Sequence, residues 1–165
     1  VDMLVDFIDN KGTLYCGPKA EKMVPFIKRK IEEAREAGDH IIYITDSHRP
    51  NDREFQMFPK HCVKGTPGAE VIPALQPRRG DTIVRKPTLS CFYRTRLENI
   101  LKRYRIKHAT VTGVCTSICV MDAVGELRNR GYSVTVLKKG VADFDQKFHR
   151  FALQRMEKIY GAAVI

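Results

Sequence analysis

The chain has 165 residues, of which 43% are hydrophobic, and a formal net charge of +10; this composition predicts one globular domain over residues 1–165. No hydrophobic stretch is long enough for a transmembrane helix, so we expect no membrane association. The basic residues are spread along the chain and accompany no nucleic-acid-binding motif, so we expect no nucleic-acid partner.

The sequence predicts strands and helices that alternate along the chain. It opens with VDMLVDF, which we interpret as the end of a buried strand, and we expect a few residues to precede Val1. Short β-branched runs predict further strands at His40–Thr45, Thr82–Arg85, Ala109–Gly113, Ser133–Leu137 and Ala162–Ile165. Apolar residues at helical spacing predict helices at Lys19–Ala37, Arg94–Tyr104, Ile118–Arg130 and Gln146–Ile159.

This alternation predicts an α/β fold with three layers, α/β/α, around a mostly parallel, Rossmann-like sheet. In such a sheet, ligands bind beyond the carboxyl ends of the strands. One long irregular stretch, Asp46–Gly80, follows a predicted strand and is rich in Asp, His, Glu and Pro. Loops of that length are usually functional, so we expect the reactive groups at this edge of the sheet.

Cys119 is the candidate nucleophile, because it lies where the loop GVCTSI passes into a predicted helix. The start of a helix offers N–H groups and a positive dipole end, which lower the pKa of a thiol and stabilise an oxyanion. A nucleophile also needs a base, and no histidine follows the first, third or fourth predicted strand. Asp2, within an apolar strand, and Lys86, just past another, are the remaining candidates. The residues alone are equally compatible with a buried structural cysteine and two solvated charges.

A second group of reactive side chains lies in the irregular stretch, at Asp46, His48, Glu54 and His61. Carboxylates and imidazoles together suit a divalent metal ion, with zinc expected first and iron or manganese as alternatives. A ligand set without thiolate favours a catalytic or substrate-binding ion over a structural one. Cys62, beside His61, is not expected to be a ligand. Ordinary solvated loop residues are the competing interpretation.

The five cysteines are an odd number, and their spacing is not that of a disulfide framework. Free thiols persist in a reducing compartment, so we predict a cytoplasmic protein. Cys115 and Cys119 form a CxxxC pattern and not the CxxC of a redox pair, which argues against a thioredoxin-like activity.

Five segments, in order, resemble the nicotinamidase and isochorismatase-like cysteine hydrolases: VDMLVDF, TDSH, FPKHCVKGTPGAE, VRKPTLSCF and TGVCTSICVMDAV. They extend over essentially the whole chain. The resemblance implies a catalytic triad of Cys119, Asp2 and Lys86. It also implies a metal site formed by Asp46, His48 and His61, with Glu54 as the carboxylate that some nicotinamidases use.

The resemblance further implies a cis peptide bond between Val114 and Cys115, and an oxyanion hole formed by the N–H groups of Cys115 and Cys119. The implied reaction is hydrolysis of nicotinamide to nicotinate and ammonia through a thioester on Cys119, with the metal ion binding the pyridine nitrogen. Three aromatic side chains correspond to pocket residues of the family: Phe7, Phe58 and Phe92.

Three departures from the family pattern are visible: Leu4 replaces a common Gln, Ser117 replaces a common Asp, and the loop between His48 and Glu54 is short. One alternative function is a related amidase for another small carboxamide, carbamoyl or ureido compound. Another is a binding module without catalysis, which fold alone does not exclude. The expected partner is a small-molecule substrate, and a homo-oligomer remains open because family members often form oligomers.

Overall fold

The computed structural model describes all residues, 1–165. Its strands are β1 (Ile42–Asp46), β2 (Thr82–Lys86), β3 (His108–Gly113), β4 (Ser133–Val141) and β5 (Ala163–Val164). Its helices are α1 (Val5–Ile8), α2 (Pro18–Lys22), α3 (Val24–Glu36), α4 (Leu97–Arg103), α5 (Met121–Asn129) and α6 (Gln146–Lys158). Short 3₁₀ turns interrupt the long loop after β1, at Arg53–Gln56, Pro67–Ala69 and Pro73–Leu75.

All the paired strands are parallel: β1 with β2, and β3 with β4, which in turn pairs with β5. The first residues of the chain lie between these two groups. The Asp2 N–H donates to the Ile44 carbonyl at 2.8 Å, and the Val114 N–H donates to the Val1 carbonyl at 3.1 Å. The start of the chain therefore links β1 to the end of β3, which carries Asp2 to the centre of the sheet.

Helices cover both faces of the sheet. Tyr43 and Ile44 are neighbours in β1, yet they belong to two different clusters of buried apolar residues. One cluster includes buried residues of α4, α5 and α6, and the other includes those of α1, α2 and α3. Successive strand residues point to opposite faces, so each cluster fills one side of the sheet. These observations confirm the predicted three-layer α/β/α class.

Two predicted elements differ from the structure. The strand predicted for VDMLVDF is wrong after Leu4, because Val5–Ile8 form a helical turn; a short apolar run does not distinguish a strand from a buried helix. The helix predicted for Lys19–Ala37 is two helices that meet at Met23. Pro25 stands in the first turn of the second helix, where its lack of an N–H costs no hydrogen bond. Within an uninterrupted helix, its ring would clash with the carbonyl group of the preceding turn.

Membrane crossing would require a longer and more apolar helix than any that the fold contains. A cavity of about 680 Å³ lies between β1 and β3 and is lined mainly by apolar side chains. The predicted metal ligands do not line it, and Asp2 is the one predicted site residue that does. The other predicted site residues lie outside this cavity.

Gly113 is the glycine whose lack of a side chain the sheet requires. Its φ is +123°, and a Cβ atom there would lie 1.9 Å from the Val1 carbonyl oxygen. We expect Gly113→Ala to lower the free energy of unfolding by more than about 1 kcal/mol, because both the backbone angle and the contact oppose a side chain. Thermal denaturation would measure the loss.

The matched control is Gly38→Ala, since Gly38 also has a positive φ, +79°, but open space around the position of a Cβ. It tests the backbone angle without the steric contact. Equal decreases in Tm for the two variants would contradict the role assigned to the close approach at Gly113.

Candidate active site

The ends of β1 and β2 meet at one edge of the sheet, where Asp46 and Lys86 are register partners. The Lys86 ammonium is completely buried. Its Nζ lies 3.0 Å from Asp2 Oδ2 and 3.4 Å from Cys119 Sγ, and it also donates to Asp46. A buried ammonium is tolerated when acidic groups balance its charge, and here two carboxylates lie beside it.

Burial and charge set the protonation of this group. Burial by itself would lower the pKa of Lys86, but Asp2, Cys119 and Asp46 together hold that pKa well above its usual value. Burial raises the pKa of the Asp2 carboxyl, and the nearby Asp46 carboxylate raises it further. Burial likewise raises the pKa of the Cys119 thiol well above its usual value, although Lys86 opposes the shift.

The expected lowering of the Cys119 pKa by the start of a helix is therefore not what the structure provides. A thiol whose pKa is raised in this way needs a base to ionise. A carboxylate oxygen of Asp2 lies within 4.8 Å of Cys119 Sγ. A carboxylate with a raised pKa is a better proton acceptor, so Asp2 is suited to this task.

Cys119 lies in an irregular turn, Thr116–Val120, and the regular helix α5 begins only after it. The turn is not helical at Ile118, where φ is −119° and ψ is −106°. The peptide bond between Val114 and Cys115 is cis, as the resemblance implied. The Cys115 N–H donates to no other backbone group. It is thus available, next to the sulfur, for an oxygen that acquires negative charge.

Residues after β4 hold this turn in place. The Ser117 N–H donates to Asp143 Oδ2 at 2.6 Å, and the Thr116 N–H donates to the Ala142 carbonyl at 2.8 Å. The Thr116 hydroxyl also hydrogen-bonds His149 Nδ1 at 2.9 Å. Sequence reasoning missed Asp143 and His149, because neither belongs to a motif. The strand before them was predicted to end at Leu137, whereas β4 continues to Val141.

The four predicted metal ligands come together, and all are buried: Asp46, His48, Glu54 and His61. His48 Nε2 lies 3.7 Å from Asp46 Oδ1 and 3.8 Å from Glu54 Oε1. His61 Nε2 lies 4.0 Å from Asp46 Oδ2 and 3.9 Å from Glu54 Oε1. Each of the two imidazole nitrogens therefore faces both carboxylates across a common centre.

This arrangement fits a divalent metal ion. His48 Nε2, the ring nitrogen that faces the common centre, is buried without a hydrogen-bond partner, which is costly unless something binds it. Tetrahedral zinc with bonds of about 2.0–2.2 Å brings its ligand atoms to about 3.3–3.6 Å from one another, close to the separations here. Iron and manganese accept the same mixture of oxygen and nitrogen ligands. Cys62 does not join them, since its thiol faces the Gly68 carbonyl oxygen at 3.8 Å.

A small cavity of about 20 Å³ lies between Cys119 and the metal ligands. Phe7 and Phe58 line it, and so does Phe144, which is 43% exposed at its outer edge and was not predicted. The assignment of Phe92 to the pocket is not supported. Its ring packs against the core beneath α4 to α6, with the Arg130 guanidinium 4.0 Å from the ring centre. The cavity holds about one water, so a larger ligand requires side chains to move.

Comparisons with known proteins show which family and which solved structures this chain resembles. A sequence profile of the isochorismatase domain matches residues 1–165. The crystal structure of nicotinamidase PncA from Bacillus subtilis has a TM-score of 0.93 and 29% identity, over 99% of this chain and 94% of that chain. Pyrazinamidase of Pyrococcus horikoshii, in complex with zinc, has a TM-score of 0.93 and 28% identity, over 99% and 94%. N-carbamoylsarcosine amidase from Thermoplasma acidophilum has a TM-score of 0.89 and 33% identity, over 99% and 91%.

Removal of the buried ammonium tests the electrostatics directly. In Lys86→Met, the carboxylates of Asp2 and Asp46 remain in a buried site without their cation. We expect the free energy of unfolding to fall by about 3–5 kcal/mol, as for other buried ion pairs that lose one partner. Urea denaturation monitored by circular dichroism would measure it.

Lys102→Met is the matched control, because it removes an ammonium that pairs with Glu98 at 2.7 Å on the exposed face of a helix. Solvent screens such a pair, so we expect little change in stability. If the free energy of unfolding fell equally in both variants, the contacts of Lys86 would not stabilise the fold as their burial implies.

Proposed function

Because the chain belongs to the isochorismatase family, we propose that it is an amide hydrolase whose substrate is nicotinamide and whose products are nicotinate and ammonia. One observation carries the proposal: the Cys119 sulfur, with Asp2 and Lys86 beside it, and a set of nitrogen and oxygen ligands face the same small cavity. The first group suits attack on a carboxamide carbon. The second suits an ion that binds a pyridine nitrogen.

The first half of the reaction forms a thioester. Asp2 accepts the proton of the Cys119 thiol, while the Lys86 ammonium stabilises the negative charge on sulfur. The sulfur attacks the carboxamide carbon, and the N–H groups of Cys115 and Cys119 stabilise the oxygen that becomes negative. Asp2 then returns the proton to the amide nitrogen, the carbon–nitrogen bond breaks, and ammonia leaves.

The second half releases the acid. Asp2, again a carboxylate, takes a proton from water, and the resulting hydroxide attacks the thioester carbon at the same oxyanion hole. The carbon–sulfur bond breaks, nicotinate leaves, and the proton returns to the Cys119 sulfur. Overall one carboxamide and one water become one carboxylic acid and one ammonia, so the residues end as they began.

In this proposal the metal ligands orient the substrate. The residues that would hold the ion are Asp46, His48, Glu54 and His61, with zinc as the first choice. When bound, the ion supplies a Lewis-acid site for the ring nitrogen. Phe7 and Phe58 would contact the faces of the ring. The location we propose is the cytoplasm, where nicotinate would be available for pyridine nucleotide synthesis.

A second candidate is an amidase for a carbamoyl or ureido compound. The 33% identity and the TM-score of 0.89 with N-carbamoylsarcosine amidase favour it. The complete set of four buried ligands favours nicotinamide, because its ring nitrogen can coordinate a bound ion. The two candidates share the chemistry of Cys119 and differ in what lies beyond the carboxamide.

The nucleophile is tested by ammonia release from nicotinamide with zinc-loaded protein. We expect Cys119→Ala to lower kcat/KM by at least about a thousand-fold, because removal of a nucleophile abolishes the covalent route. Cys91→Ala is the control, since Cys91 is also buried but bonds Glu126 away from the cavity. Activity that survives in Cys119→Ala would contradict the mechanism.

The substrate is tested by a comparison of three amides before and after chelation of the metal. We expect nicotinamide to be hydrolysed far faster than benzamide, which lacks the ring nitrogen, and chelation to remove that preference. N-carbamoylsarcosine is the third substrate. Faster hydrolysis of the carbamoyl compound would assign the site to the second candidate, and an equal rate with benzamide would contradict the role of the ring nitrogen.

A further inference from the structure

The two histidines of the metal group each turn one nitrogen toward the common centre and the other away from it. For His61, the outer nitrogen Nδ1 lies 2.7 Å from the Pro59 carbonyl oxygen. For His48, the outer nitrogen Nδ1 lies 3.4 Å from Asp52 Oδ2. Histidine ligands usually donate this outer N–H to an oxygen, which fixes the tautomer and the orientation of the ring. At His48 the outer nitrogen thus faces a carboxylate, where that of His61 faces a backbone carbonyl.

Asp52 contacts a second ligand as well. Its Oδ1 accepts the Glu54 N–H at 3.0 Å, so Asp52 caps the 3₁₀ turn Arg53–Gln56 that carries Glu54. Its side chain is only 16% exposed, although it stands in the loop after β1. One carboxylate therefore touches the imidazole of His48 with one oxygen and the backbone of Glu54 with the other.

We propose that Asp52 is a positioning residue for the metal site, holding His48 and Glu54 in their ligating arrangement through its two oxygens. This inference deepens the metal half of the proposed function and rests on it. No motif of the sequence marked Asp52. Its contribution follows from the two contacts of its carboxylate and from the complete burial of the His48 ring.

Asp52 is not itself assigned as a ligand, although its carboxylate lies within 4.8 Å of ligand atoms of His48 and Glu54. It faces Nδ1 of the imidazole, whereas Asp46 and Glu54 face Nε2. The lone pairs of the two ring nitrogens diverge, so a single ion cannot bind both. An ion on Nε2 leaves Asp52 on the outer side, as the partner of the Nδ1 proton.

The experiment uses Co²⁺ as the probe, added to the full chain after removal of bound metal. Affinity is measured by competition with a chelator, and coordination by the visible absorption of the bound ion. We expect Asp52→Asn to weaken Co²⁺ binding by about 10–100-fold, the usual effect of the loss of an outer partner. The absorption bands should keep their positions, since the ligands themselves are unchanged.

A second variant separates the two contacts. Asp52→Ser retains an oxygen that can cap the Glu54 N–H but is too short to reach the imidazole. We expect it to weaken Co²⁺ binding as well, while its thermal unfolding stays close to that of the unaltered protein. Asp9→Asn is the matched control, because Asp9 Oδ1 also accepts an N–H two residues on, from Lys11 at 2.8 Å, on the surface.

Unchanged Co²⁺ affinity in both Asp52 variants would overturn the inference. Absorption bands that report one protein ligand fewer would also overturn it, because they would make Asp52 a direct ligand. The readout is independent of amide hydrolysis. If the unaltered protein binds Co²⁺ and the Asp52 variants bind it weakly, the inference stands even where nicotinamide is not hydrolysed. If the unaltered protein binds no Co²⁺, the inference fails.

Discussion

The Lys86 ammonium is a buried cation whose charge must be balanced within the protein, and this requirement organises the site. The balancing carboxylates come from two separate segments, Asp2 at the start of the chain and Asp46 at the end of β1, and the ammonium also donates to the Cys119 sulfur before α5. Asp46 also faces the two histidines of the metal group. The Asp46 carboxylate therefore belongs both to the catalytic cluster around Lys86 and to the group of residues that would hold a metal ion.

Much of this arrangement could be predicted from the sequence, because a parallel sheet brings the carboxyl ends of its strands to one edge. Asp46 and Lys86 follow apolar β-branched runs, and their register pairing places them side by side. Asp2 stood out as a carboxylate within an apolar segment, which is costly without a partner. His48 was foreseen from its spacing to Asp46, two residues apart at a strand end.

The features that could not be predicted depend on side-chain directions fixed by irregular backbone. Phe92 and Phe58 looked alike as loop aromatics, but only Phe58 turns toward the cavity. Asp52 and Asp143 act through backbone N–H groups of turns, which no pattern of residue types reveals. Burial raises the pKa of the Cys119 thiol, whereas its position before a helix alone had indicated a lowered pKa.

The central claim is that this buried cluster makes Cys119 a nucleophile toward a carboxamide. Rapid acid quench of the metal-loaded protein during turnover of nicotinamide, followed by peptide mass spectrometry, tests it most directly. Our account predicts a nicotinoyl thioester on the peptide that contains Cys119 and on no other cysteine. Turnover without any acyl adduct, or an adduct on one of the other four cysteines, would contradict it.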